Sequence, residues 1–226
     1  MAAKKSAAGR RKRGVPRKAA APKKRKAAKS KSNVSQPRKT GGGRATHAGT
    51  YYQNRVSAWW AVLILAEADA DPPFELPDDL TFASLHAETT KAVDDLTVNT
   101  STKGEVLCQA KHTVTLETTS DSALGKTIAQ FVRQFRGSTP KLDPAKDRLV
   151  LVTTSLSSAP IKTHLPAFLG RLRTSAAPQK EWMAGNKGEN QAAAVIRKHV
   201  GRTWRAEYGK KPTAAEIISL LRLIHV

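Results

Sequence analysis

The chain has 226 residues and carries 39 Lys+Arg against 18 Asp+Glu, a net charge of +21. Its length admits one medium domain with a tail, or two small domains. A single cysteine excludes an internal disulfide framework and a cysteine-rich zinc site, and the longest apolar run, Ala58–Ala66, is too short to span a bilayer. No signal-peptide core precedes it, so the expectation is a soluble protein of a reducing compartment.

The charge is concentrated at one end. Residues 1–50 hold 17 Lys/Arg and no Asp or Glu, which leaves the other 176 residues with 22 Lys/Arg against 18 Asp/Glu. Residues 1–48 are mostly Lys, Arg, Ala, Pro, Gly and Ser, with Val15 and Val34 the only large aliphatics past the start. Such a segment buries too little apolar surface to offset the entropy of ordering, so a disordered arm is predicted. Its clusters Arg10, Arg11, Lys12, Arg13 and Lys23, Lys24, Arg25, Lys26 resemble the lysine-rich tails of linker histones and some bacterial nucleoid proteins. They neutralise phosphates with counterion release, which is independent of base sequence and sensitive to salt. A solubilising tail is the simpler reading of the same charges. Gly41–Gly43 is read as a flexible joint.

A helix is predicted from near Thr50, over Tyr51–Glu67, stopped by Pro72–Pro73. Its second half is apolar almost all round, which predicts burial on more than one side. Three strands are expected at Leu80–Glu88, Ala92–Asn99 and Glu105–Val114. Asp121–Phe135 reads as a helix capped by Ser120 or Asp121, with Leu124, Ile128, Phe131, Val132 and Phe135 as its core stripe. Arg148–Thr154 is a buried strand by composition, followed by a helix from about Pro160 to Arg173 and a loop over Pro178–Glu189. Asn190–Tyr208 and Thr213–Leu223 are two more helices, the second opened by a capping box of Thr213 and Glu216. The expected fold class is α/β: a small core of helix, three strands, helix, strand and helix (49–176), with a helical C-terminal part (177–226).

The chemistry is concentrated between Glu88 and His112. Residues two apart on a strand share a face, so Gln109 and Lys111 project together while Cys108 and Ala110 face the packing. If the second and third strands pair, Asp94 or Asp95 lies beside them. A carboxylate, an amide oxygen and a main-chain carbonyl suit Mg²⁺, a hard cation that takes oxygen ligands. A nearby ammonium stabilises charge developing on a phosphate. Such a set suits phosphodiester cleavage.

Asp95, Gln109-Ala110-Lys111 and the flanking helices resemble the PD-(D/E)XK (restriction-endonuclease-like) superfamily, in its Mrr-like Gln-x-Lys branch. Gly49–Gln53 (GTYYQ), Glu88, Asp94-Asp95-Leu96 and Leu107–His112 (LCQAKH) resemble the N-terminal double-stranded DNA endonuclease domain of bacterial anti-phage defence effectors. The resemblance covers roughly residues 48–175. It implies a metal-dependent endonuclease with Asp95 and Gln109 as Mg²⁺ (or Mn²⁺) ligands, Lys111 as the catalytic lysine and Glu88 as a further catalytic group. Gln53 would support them, and Asp94 is the alternative carboxylate. It further implies a bacterial cytoplasmic, nucleoid-associated location, with a sensor or NTPase region or partner and homo-oligomers as possible company. Two departures stand out: no proline precedes the Asp, and Gln replaces the usual Glu. The alternative reading is a non-catalytic DNA-binding or nucleoid-associated protein that acts through its basic arm.

Other signals lead to no site. Gly125-Lys126-Thr127 has the look of a phosphate-loop ending, but Ser120 stands where that loop needs Gly, so it reads as the surface start of a helix. His86-Ala87-Glu88 lacks the downstream cysteine pair of a zinc deaminase. Cys108 reads as a buried small residue. Trp59, Trp60, Trp182 and Trp204 read as packing residues.

Overall fold

In the computed structural model, the described residues are 42–69, 74–77 and 80–226, with side chains described from His47 onward. They all belong to one compact unit. Residues 1–41 of the arm, including the clusters at 10–13 and 23–26, lie outside them, whereas 42–48, expected as part of the disordered arm, open the first helix. Among the described residues no helix is long and apolar enough to cross a membrane.

The chain runs α1 (Gly42–Leu65), β1 (Phe82–Ala87), β2 (Leu96–Thr100), β3 (Glu105–Lys111), α2 (Ala123–Gly137) and β4 (Arg148–Thr153). A π turn at Pro160–His164 leads into α3 (Leu165–Thr174), and a 3₁₀ turn at Pro178–Trp182 precedes α4 (Lys187–Tyr208). Finally come α5 (Ala214–Leu223) and the two-residue β5 (Ile224–His225). The five strands form one mixed α/β sheet in the order β1-β2-β3-β4-β5. β1–β2 and β2–β3 are antiparallel, whereas β3–β4 and β4–β5 are parallel. Parallel neighbours need a crossover between them, and α2 supplies it for β3 and β4.

Each face of the sheet carries its own core. On one face Trp60 of α1 stacks on Phe74 at 5.1 Å and meets Phe82 edge-on at 4.9 Å, over Leu96, Val98, Val106, Cys108 and Val150. On the other, Leu107, Leu149 and Leu151 lie beneath Leu124, Ile128 and Phe131 of α2, with Phe168, Ile196, Trp204 and Leu220 from α3, α4 and α5. The helical C-terminal part therefore shares its core with the strands and adds β5 to their sheet. The apolar ending packs inward: Leu220, Leu221, Leu223 and Ile224 are all buried.

Arginines tie the perimeter together. Buried Arg148 donates only to carbonyls, those of Phe74 (2.7 Å), Glu75 (2.5 Å), Pro144 (2.6 Å) and Asp147 (2.8 Å). Arg173 grips the Glu75 carboxylate with Nε at 2.7 Å and Nη2 at 3.0 Å, and donates to the Ile224 carbonyl at 2.8 Å. Segment 74–77 is thus fastened to the β4–β5 edge. Gly104 is required by close approach, because a Cβ there would collide with the Lys146 carbonyl.

Several expectations are corrected. α1 is helical from Gly42, so Gly42 and Gly43 are not a loose joint. It is buried along one side only: Val56 and Trp60 face the core while Tyr51, Trp59, Val62 and Leu65 are exposed. The three expected strands are shorter, and Asp94 and Asp95 precede β2 instead of lying in it. α2 is capped by Ser122, whose hydroxyl accepts from the Gly125 N–H, not by Ser120 or Asp121. Gly125 and Thr127 are buried, not surface. The segment 178–189 is not a continuous loop, since it contains the 3₁₀ turn and the start of α4. β5 was not expected. The Thr213–Glu216 capping box is present.

Truncating fully buried Trp204 to Ala should cost about 3–5 kcal/mol, because it leaves a cavity in the core where α4 packs on α2. Thr213→Ala should cost about 1 kcal/mol by losing the α5 cap. Urea unfolding of both variants against the parent measures the two losses.

Candidate functional site

The site lies where β3 ends. The β2–β3 register pairs Leu96 with Cys108 and Thr97 with Leu107, so one step further along Asp95 stands opposite Gln109. Asp95 is a bend just ahead of β2, and its carboxylate takes over the role of a ladder partner. Oδ2 accepts the Ala110 N–H at 2.8 Å and lies 3.3 Å from Lys111 Nζ. The Asp95 carbonyl accepts from the Glu88 N–H at 3.1 Å and from Gln53 Nε2 at 3.3 Å. Groups from α1, from β3 and from the end of β1 thus hold one residue. The carboxylate is mostly buried and the ammonium about one-third exposed, at 16% and 30% of their full side-chain areas, so Lys111 faces the mouth.

Asp94 is placed differently. It is exposed and accepts from Gln130 Nε2 of α2 at 3.0 Å. Just before it, buried Val93 donates its N–H to Gln134 Oε1 at 3.3 Å. α2 therefore pins the 93–94 segment, and the next residue turns toward β3. Of the two neighbouring aspartates, only Asp95 contacts Lys111.

Alternation along β3 puts Val106, Cys108 and Ala110 in the core beneath α1, and Leu107 in the core beneath α2. Gln109 shares the Leu107 face. It is 1% exposed, and its Oε1 is buried with no hydrogen-bond partner among the described residues. Thr97, on the same face of β2 as Asp95, likewise has a buried Oγ1 without a partner. Burying an acceptor without a donor is costly, so the Gln109 Oε1 suits an electropositive partner. Mg²⁺ asks for hard oxygen donors. Asp95 and Gln109 supply one carboxylate and one amide oxygen, donor types that match it in chemistry. The set has few acidic groups: among the described residues no cluster of three or more His, Cys, Asp or Glu is placed to hold a metal ion.

Glu88 directly follows β1 with a positive φ of 51°. Its main chain joins the site through Asp95, while its carboxylate is exposed and bonds to no described residue. The structure therefore brings together Asp95, Gln109, Lys111 and Gln53, and leaves the Glu88 carboxylate outside their contacts. Tyr52 meets His112 edge-on at 5.8 Å on the α1 side, and burial pushes its phenol above the ordinary range, with Arg55 opposing.

A hollow of about 550 Å³ opens beside Lys111, between α2 and α4, and includes Lys126, Gln130, Arg133, Arg202 and Glu207 in its wall. Sequence reading missed these residues. The only signal was the polar face of α2, since Gln130 and Gln134 reach partners 36 and 41 positions away.

The loop between β3 and α2 borders this hollow and is latched by α4. Buried His199 donates from Nε2 to the Glu117 carbonyl at 2.6 Å, while its Nδ1 accepts from Arg202 Nη2 at 2.7 Å. Arg202 also donates to the Thr118 carbonyl at 3.0 Å. Because Arg202 can only donate, this arrangement requires the neutral imidazole. Burial holds the His199 pKa below its ordinary 6.5, the Glu117 bond opposes that shift, and Arg202 and Lys198 reinforce it.

Comparisons with protein-family models, with curated proteins and with solved structures find no match to this chain.

Two outcomes are expected. An unfolded chain takes up the His199 proton more readily than the folded one, so the latch contributes fully above about pH 6.5 and is lost as pH falls through the lower folded pKa. The difference in urea midpoint between the parent and His199→Gln should therefore narrow below pH 6.5, and a gap constant from pH 8 to pH 5 would contradict it. The second concerns Cys108. Burial pushes this thiol far above its ordinary value, a contact from Trp60 opposes the shift, and the Asp95 charge adds a smaller push upward. A thiol reagent should leave the native protein untouched and label one cysteine in urea.

Proposed function

We propose that this protein is a metal-dependent endonuclease that cleaves double-stranded DNA. The observation that carries the reading is the juxtaposition of three side chains at the end of β3. Asp95 stands in register with Gln109 and 3.3 Å from Lys111, beside a hollow lined by further cations. The element order lends support. A helix, three antiparallel strands, a crossover helix and a strand parallel to the third is the core implied by the resemblance to the PD-(D/E)XK superfamily. The helical end, the short β5 and the basic arm would be additions to it.

In this reading each side chain has a separate task. Asp95 and Gln109 would hold Mg²⁺, which when bound would polarise the phosphodiester and make an attacking water more acidic. Lys111 places its ammonium at the mouth, where negative charge develops on the phosphorus oxygens in the transition state. A preorganised cation there favours the transition state over the ground state. Gln53 is a positioning residue: it holds the Asp95 main chain and does not reach the substrate. Partial burial of the Asp95 carboxylate limits its screening by water. The arm would raise affinity for any DNA without choosing a sequence. A role in bacterial anti-phage defence follows from the resemblance alone.

The test is cleavage of supercoiled plasmid by the full chain with Mg²⁺ or Mn²⁺, with and without EDTA. Asp95→Ala and Lys111→Ala should each reduce cutting by about 100-fold or more, with circular dichroism unchanged, and EDTA should abolish it. Cutting that survives both substitutions would overturn the assignment. No cutting, with steeply salt-dependent binding that disappears when residues 1–48 are removed, would favour the non-catalytic DNA-binding reading.

A further inference from the structure

The hollow beside Lys111 continues. A second one, of about 710 Å³, shares Arg133 with it and extends to Lys103, Lys141 and Lys146. Lys126, Gln130 and Arg133 are spaced four and three apart, so they lie on one face of α2. From Lys126 to the helix end at Gly137 that face runs roughly 16 Å at the α-helical rise. This is long enough to meet more than one successive phosphate of a nucleic-acid strand. Ala129 and Ala206 are small residues in the wall between α2 and α4, and would let a backbone approach closely.

The charges along this path are available. Lys103, Lys126, Lys141 and Lys146 form no ion pair with any described residue. Of the acids that line the second hollow, Glu105 pairs with Lys91 at 2.5 Å, and the other two are turned to the main chain. Asp147 accepts the N–H groups of Glu105 and Asp143, both at 2.7 Å, and Asp143 accepts that of Ala145 at 2.9 Å. Only the Arg133–Glu207 pair, at 2.8 Å, spans the trough between α2 and α4. Both partners are well exposed, and such pairs are worth little, so a phosphate can compete for Arg133.

Building on the endonuclease reading, we propose that this trough carries one sugar–phosphate backbone of duplex DNA away from Lys111 along α2, with Glu207 as a competing anion that weakens the grip. The backbone is contacted through phosphates alone, so the trough sets the path of the duplex without reading its bases.

The test uses the full chain in EDTA, so that binding is read without cleavage. Lysines are acetylated with and without a 20-bp duplex and quantified by mass spectrometry, and arm lysines serve as the internal positive control. Labelling of Lys103, Lys126, Lys141 and Lys146 should fall several-fold on adding DNA, while Lys162 and Lys180 remain unchanged. Glu207→Gln should tighten binding and steepen its salt dependence by about one unit of slope, the amount expected for one added phosphate contact. Protection confined to the arm, with Lys126, Lys141 and Lys146 labelled at their free rates, would overturn the proposal. Protection of the trough in a protein that never cuts plasmid would keep the proposal and remove the nuclease reading. Cutting with an unprotected trough would do the reverse.

Discussion

Strand β3 is paired on both edges and covered on both faces, and everything else in the molecule is arranged around that. Its edges face β2 in one direction and β4 in the other. Its side chains alternate between the core under α1 and the core under α2. A slip of one residue would exchange the two sets and put Gln109 and Lys111 under α1. The apolar residues Val106, Leu107 and Cys108 are thus what hold the polar residues Gln109 and Lys111 in register with Asp95. Where β2 begins, the Asp95 carboxylate satisfies the Ala110 N–H that would otherwise lack a partner. The same bond that completes the sheet therefore positions the acidic group of the candidate site.

This economy explains the density of contacts on Asp95. A carboxylate taken partly out of water must be compensated by hydrogen bonds and an opposite charge. Ala110 and Lys111 provide these from two consecutive residues of β3. Gln109 is the counterexample: its side chain is more deeply buried and its amide oxygen has no donor among the described residues. Such unpaired buried atoms recur among the described residues, at Thr127 Oγ1 and Ser158 Oγ for example, so what sets this corner apart is that Gln109 stands beside the Asp95–Lys111 pair.

Much of the secondary structure was legible because it is written in local rules. The α2 stripe, the α5 capping box and the alternation of Cys108 and Ala110 against Gln109 and Lys111 depend only on neighbours a few residues apart. The misjudged elements depend on distant partners. β5 is two residues long and exists because β4 offers it an edge. The apolar second half of α1 does not reveal that only one side meets a sheet, so Trp60 is buried while Trp59 is 43% exposed. Ser122 displaces Ser120 as the cap because the loop from Glu117 is latched by His199 and Arg202, some 80 residues away in sequence. Gly125 follows the same logic: a Cβ there would press on the Thr119 and Ser120 carbonyls and on the His199 ring.

By itself the sequence determined the α/β class, the basic arm and the shared face of Gln109 and Lys111. Composition and periodicity act over short spans, so they survive without a fold. Only the tertiary structure decided which aspartate meets Lys111. Asp94 and Asp95 are chemically identical neighbours, and one is drawn to Gln130 because α2 crosses there, while the other caps β3. It also decided that Lys126, Arg133 and Arg202 border one trough and that the Glu88 carboxylate remains outside the site. These facts arise from how helices cross a sheet, which depends on packing summed over the whole core and not on any single stretch of residues.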